Sequence, residues 1–182
     1  MSYKLETKVQ RVKFAREAGA VRRLHIHRII GEYDVGQHTY GALCLLRVLN
    51  PSAAARLIWA VLSHDKPERL TGDIPSPAKN ETHWFCASHY AEHENQILTD
   101  TGFDWDELTE EEEQWLKAVD ALEFFLFCLD QEMLGHQGLW KPKKKIMSYI
   151  EGQLEVWPTG VRHFYEDLLV SEWEMCDELG EN

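Results

Sequence analysis

Between Thr109 and Met133 the chain can be read in one way only. Thr109-Glu110-Glu111-Glu112 forms a capping box, with the threonine hydroxyl at the N-cap and Glu112 reaching back to it, and the acidic first turn suits the positive end of a helix dipole. Behind this start, Trp115, Val119, Leu122, Phe125, Leu126 and Leu129 recur at helical spacing. The segment predicts a helix from Glu110 to about Met133, and a rod of about 36 Å with one apolar face needs other helices to cover it. Asp120 interrupts that face. A carboxylate beside core positions either meets a partner or strongly destabilises the fold, so ligation of a metal explains it better than surface decoration.

The rest of the chain offers further helices to pack on this rod. Leu5, Val9, Val12 and Phe14 predict an amphipathic helix from Tyr3 to about Ala18, and Tyr40, Leu43, Cys44 and Val48 mark the apolar face of another from Gln37 to Leu49, ended by Asn50-Pro51. Ser52 to Ser63 is apolar almost all round, which predicts a central, buried helix. Helical patterns return at Ala78 to Leu98, Ile146 to Val156 and Val161 to Leu179. Loops are expected at Gly31 to Gly36, Thr99 to Leu108 and Gly135 to Pro142. No strand pattern and no internal repeat emerges. The expected class is all-α, in a single domain spanning 1–182, a length that can bury its own core.

Composition narrows the function classes. Hydrophobic content of 44% with 27% charged residues fits a soluble globular chain, no apolar run approaches a membrane span, and Met1 to Lys8 lacks the apolar core of a secretory signal. A cytoplasmic protein with no membrane partner is expected. Cys44, Cys86, Cys128 and Cys176 have no metal-type spacing and read as reduced core thiols. A net charge of −12 argues against binding a nucleic-acid polymer, which needs clustered Lys and Arg. A small phosphorylated substrate is still compatible, because Arg22, Arg23, His25, His27 and Arg28 concentrate positive charge in one short stretch. The run Lys141-Pro142-Lys143-Lys144-Lys145 reads as a solvated helix start, and His89 and His93 as surface or core-edge histidines.

The chemistry-bearing stretch is His64-Asp65-Lys66-Pro67-Glu68-Arg69-Leu70-Thr71-Gly72-Asp73-Ile74-Pro75-Ser76-Pro77-Ala78-Lys79. An imidazole and a carboxylate side by side at the end of an apolar helix suit one divalent cation, with further ligands from elsewhere and an open position for water or substrate. Glu68 and Asp73 follow on a loop stiffened by prolines and a Thr-Gly-Asp turn, near enough to act on a water without ligating the metal.

With His38 at the start of its helix, His64-Asp65, and Asp120, the chain resembles the H…HD…D pattern of the HD-domain metal-dependent phosphohydrolases. His64-Asp65-x-x-Glu68, then Leu70-Thr71-Gly72-Asp73-x-Pro75-x-Pro77-x-Lys79, and Lys117-Ala118-Val119-Asp120-Ala121-Leu122 are similar to the motifs of the bacterial 5′-deoxyribonucleotidases of that family and their phage relatives, some of which are dATP triphosphohydrolases. The likeness runs from about Arg22 to Cys128. It implies an HD-domain helical bundle in which His38, His64, Asp65 and Asp120 hold one divalent ion (Co, Mn, Mg, Zn or Fe), and Glu68 and Asp73 handle the attacking water and phosphate oxygens. It implies that Arg23 binds the substrate phosphate, that Lys79 adds charge, and that Leu24 and Ile26 pack against sugar and base. The implied activity is cleavage of the 5′ phosphoester of deoxyribonucleotides, with the release of triphosphate from dATP or another dNTP as the alternative and a non-catalytic nucleotide-binding or assembly module as a further one. A homo-oligomer, dimer or larger ring, is also implied, with Trp173 and Met175 on its candidate surface. Two departures stand out: Gln37 replaces the Glu that relatives carry before the first histidine, which leaves the orientation of His38 open, and Leu24 replaces a Trp.

Overall fold

In the computed structural model, residues 3–74 and 87–180 are described, those from 172 onward by their backbone alone. Among the described residues there are eight helical segments and no strand, only an isolated bridge between Arg22 and Asp34. We number them α1 (Lys8–Gly19), α2 (Val35–Leu49), α3 (Ala55–Ser63), α4 (Glu68–Thr71), α5 (Ala87–Thr101), α6 (Glu110–Met133), α7 (Trp140–Gln153) and α8 (Thr159–Gly180). No helix among the described residues is long and apolar enough to cross a membrane.

The axis of the bundle is α6, which begins and ends where its sequence pattern predicts. Thr109 Oγ1 accepts from the Glu112 N–H at 3.2 Å while Glu112 accepts from the Thr109 N–H at 2.8 Å, a reciprocal cap that contributes on the order of 1 kcal/mol. Trp115, Val119, Leu122, Phe125 and Leu129 are buried in one core with Ala42, Leu45 and Leu46 of α2, Leu57 and Val61 of α3, Ile150 of α7, and Val161 and Tyr165 of α8. A smaller cluster of Phe14, Ile97, Leu98 and Phe103 lies under α1 and α5.

Several expectations about individual helices need correction. Helix α1 starts at Lys8, capped by Thr7 and Gln10, and buries Phe14 and Ala18 while Val9 and Val12 face solvent. Its buried residues lie in the C-terminal half, where Gly19 lies against Gly36 at the start of α2. Helix α2 starts at Val35, with Asp34 and Gln37 forming its capping box. Its buried face is Val35, His38, Thr39, Ala42, Leu45 and Leu46, whereas Tyr40 and Val48 are each 72% exposed and Cys44 lies outside the core. Both faces of α2 carry apolar residues at helical spacing, and the small ones, Thr39 and Ala42, let it approach α6. Cys128, by contrast, is buried as expected; Cys86 and the side chain of Cys176 lie outside the described residues.

Helix α3 is amphipathic, not buried all round: Leu57, Ala60 and Val61 face the core, and Ile58 and Trp59 are 43% and 37% exposed. Trp59 is anchored at the rim, where its indole N–H donates to the Asp104 carbonyl at 2.9 Å and its ring stacks on Phe103. Helix α5 runs on to Thr101 and the following loop opens at Gly102, whose φ of 73° suits a helix C-terminus. The expected helical residues 78–86 lie outside the described residues. Helix α7 begins at Trp140, inside the expected loop, because Pro142 in the first turn has no intrahelical partner to lose.

Candidate metal centre

Four side chains from three parts of the chain meet at one point beside α6. His38 lies in the first turn of α2 and is fully buried; His64 and Asp65 follow the last turn of α3; Asp120 projects from the middle of α6. His38 Nε2 is 3.0 Å from Asp120 Oδ1 and 3.6 Å from Asp65 Oδ2. His64 Nε2 is 3.4 Å from Asp65 Oδ1 and 3.8 Å from Asp120 Oδ1. Donor atoms sharing one tetrahedral ion at about 2.1 Å lie about 3.4 Å from each other; His38, His64 and Asp65 form one group of mutually close donor atoms, and Asp120 Oδ1 lies beside both imidazoles.

The tautomers suit it as well. His64 Nδ1–H donates to the Val61 carbonyl at 2.9 Å, which turns its Nε2 lone pair toward the carboxylates. His38 Nδ1 is hydrogen-bonded to Glu123 Oε2, and the Tyr33 hydroxyl donates to the same carboxylate oxygen at 2.5 Å. Both Nε2 atoms are buried without a hydrogen-bond partner of their own. Two such orphaned nitrogens facing two carboxylates form a donor set that fits a divalent first-row ion, and His38, His64 and Asp65 alone already cluster as a potential metal site.

The protonation behaviour reports the same concentration of negative charge. Burial by itself would depress the His38 imidazole, but the neighbouring Asp120 and Glu123 carboxylates lift it to about 9. His64 is also raised, against the effect of burial, by Asp65 and Asp120. Burial pushes Asp65 and Asp120 upward, and the two histidines, with Arg23 at Asp65, more than reverse it. A bound cation would take over the counter-charge that the imidazoles otherwise supply.

Arg23 reaches this centre from the loop between α1 and α2. That loop is closed at its base by Arg23 N–H to the Tyr33 carbonyl at 2.9 Å and Val35 N–H to the Val21 carbonyl at 3.0 Å. The guanidinium pairs with Asp65 Oδ2 and lies over the Tyr33 ring, 5.6 Å from its centroid. Leu24, next in sequence, has φ 54°, a left-handed conformation costing a leucine about 1–2 kcal/mol. Asp73 holds it there: Leu24 N–H donates to Asp73 Oδ2 at 3.0 Å, and His25 Nδ1 lies 3.8 Å from the same oxygen. At the far side of the loop, Gln131 of α6 accepts from the Ile30 N–H at 2.8 Å and donates to the Ile30 carbonyl at 3.0 Å.

Of the residues singled out in the sequence, then, His38, His64, Asp65, Asp120 and Arg23 come together. Glu68 is buried, 4% exposed, at the start of α4, and its charge acts on Arg23. Leu24 is half-buried beside Asp73, Ile26 is exposed, and Lys79 lies outside the described residues. His89 and His93 are exposed and belong to no ligand cluster among the described residues. Sequence reasoning missed Glu123, Tyr33 and Gln131. Asp120, Glu123, Phe127 and Gln131 form one stripe on α6, Phe127 stacking on Tyr33 at 3.8 Å between centroids, and the three-residue step from Asp120 to Glu123 was the available signal for a second inward carboxylate.

No family model and no curated protein matches the chain. Solved structures share its architecture. The HD phosphohydrolase DatZ of cyanophage S-2L, bound to dA and one catalytic Zn2+ ion, is 20% identical with a TM-score of 0.66, over 95% of this chain and 97% of that one. A protein from Pyrococcus horikoshii is 16% identical with a TM-score of 0.66, over 90% and 96%. A conserved hypothetical protein from Pyrococcus furiosus is 17% identical with a TM-score of 0.58, over 81% and 99%. The fold is therefore the all-α HD-domain bundle that the sequence resemblance implied.

Proposed function

We propose that this protein is a divalent-metal-dependent phosphohydrolase that cleaves the 5′ phosphoester of deoxyribonucleotides. One observation carries the reading: two buried imidazole nitrogens face two carboxylates, with an arginine alongside. A neighbour of the same fold holds dA and a catalytic Zn2+, which supports a deoxynucleoside as the organic part of the substrate.

His38, His64, Asp65 and Asp120 hold the ion in this reading, and when bound it supplies Lewis acidity toward phosphoryl oxygens and a nucleophile from water at neutral pH. Arg23 leaves Asp65 to clamp the phosphate, where a guanidinium fork matches two oxygens at once. Glu68, buried beside that arginine, takes a proton from the attacking water. Asp73 acts through the arginine loop, keeping Leu24 in its left-handed conformation so that Arg23 stays aimed. Leu24 and Ile26 border the space for sugar and base, and Lys79 adds positive charge.

Arg22 is tied to Glu32 at 2.5 Å with both side chains in solvent, and His25 faces Asp73. Arg22 and His25 thus each face a nearby carboxylate, which favours a monophosphate over the greater charge of a dNTP. The test is a comparison of dAMP, dATP, dGTP and ATP at equal concentration with added metal, products being separated by ion exchange. Phosphate from dAMP supports the reading. Triphosphate from dATP replaces the monophosphatase with a triphosphohydrolase, equal rates on ATP and dATP reject deoxy selectivity, and no release from any of them leaves a binding module.

A further inference from the structure

Beyond the four ligands, we infer that Glu123 is a positioning residue that sets the aim and basicity of His38 at the metal; the inference rests on the metal-centre reading above. His38 is fully buried and the Glu123 side chain is only 12% exposed, so their contact is shielded from solvent. A carboxylate in such a place is costly unless its oxygens are engaged, and Oε2 takes both His38 Nδ1–H and the Tyr33 hydroxyl. That bond fixes the proton on Nδ1 and leaves Nε2 as the lone-pair nitrogen facing Asp65 and Asp120. A carboxylate hydrogen-bonded to the distal nitrogen of a ligating imidazole also makes that imidazole a better donor.

Helix α2 is shaped to admit it. Position 41 lies one turn beyond His38, and a Cβ there would stand 2.7 Å from Glu123 Cγ and 2.9 Å from Oε1. Only glycine leaves room for the carboxylate at its present place, because Cγ is too near the backbone of α6 to swing aside cheaply. The other ligating histidine has no such need, since the carbonyl of Val61 already holds His64 Nδ1. Gln37, at the position before His38, is occupied in the capping box with Asp34, so the orienting carboxylate comes from α6.

The experiment measures Zn2+ and Mn2+ affinity by competition with a chromophoric chelator on the full chain, for wild type, Glu123→Gln and Gly41→Ala. The Gln variant keeps the shape and an acceptor oxygen but removes the charge; it is expected to bind metal about 10–100-fold more weakly. A role confined to packing would lower the melting temperature and spare affinity, and that result overturns the inference. Gly41→Ala, which displaces Glu123 without changing its charge, is expected to weaken binding in the same direction and serves if the Gln variant does not fold. Wild-type affinity in a folded Glu123→Gln protein overturns the inference and leaves the metal centre standing. Failure of the wild-type protein to bind either ion overturns both.

Discussion

The two histidines of this centre are held in opposite ways. His64 is oriented by its own helix, through a carbonyl three residues earlier, and Asp65, the carboxylate it faces, is the next residue in the chain. His38 is oriented by a side chain 85 residues later, and the loop leading into its helix is clasped by Gln131 from 101 residues away. One arm is settled by local backbone geometry, the other by whether α6 docks in register. A backbone acceptor survives any ordinary substitution, while a side-chain orienter is lost with a single change. Evolution or an engineer can tune the His38 arm and can do little to the other except remove it.

Asp120 faces both arms, and its loss has the largest expected consequence. Asp120→Asn is expected to strip the metal and lower kcat/KM by roughly a thousandfold or more, which is about 4 kcal/mol in the transition state. Metal analysis after dialysis checks this, and full occupancy would remove Asp120 from the ligand set. Next is Gln131→Ala, which unties the His38 arm at its outer end. Losing two hydrogen bonds to the Ile30 backbone is expected to cost about 1–3 kcal/mol of stability and to appear in the nucleotide KM, because the loop carries Arg23, with metal affinity nearly kept. A denaturant midpoint and a KM unchanged from wild type would show that the loop does not depend on the clasp. The smallest effect on the site is predicted for Val61→Ala. The lost methyl groups are fully buried, so stability falls by roughly 1–3 kcal/mol. The carbonyl that holds His64 remains, and the metal dissociation constant should stay within about twofold. A large drop in affinity there would show that the local arm is less self-sufficient than its hydrogen bond implies.

The same division explains what could be read from the sequence. His64-Asp65, the capping box of α6 and the misplaced carboxylate Asp120 are signals carried by adjacent residues or by one helical pattern, and all three fall on the expected elements, at the end of α3 and on α6. The buried face of α2 was misread because Tyr40, Cys44 and Val48 keep helical spacing as faithfully as Thr39, Ala42 and Leu46 do. The choice between the faces is made by close approach to α6, visible at Gly41 only once Glu123 is known to stand opposite. Helix α3 was taken as buried because nearly all its residues are apolar, yet it lies at the rim, and Trp59 is accommodated there by stacking and one indole hydrogen bond. Glu123 looked like any charge on a long helix. Its role exists only across the bundle.

The stripe of Asp120, Glu123, Phe127 and Gln131 ties the proposed ligand and its proposed orienter, a stacking ring and a clasp to the phase of one helix. Inserting or deleting a single residue between Asp120 and Gln131 would rotate part of that stripe by about 100° relative to the rest, parting the clasp from the ligand even if every side chain were retained. A change of length in this stretch of α6 therefore parts residues that every single substitution there would leave in phase.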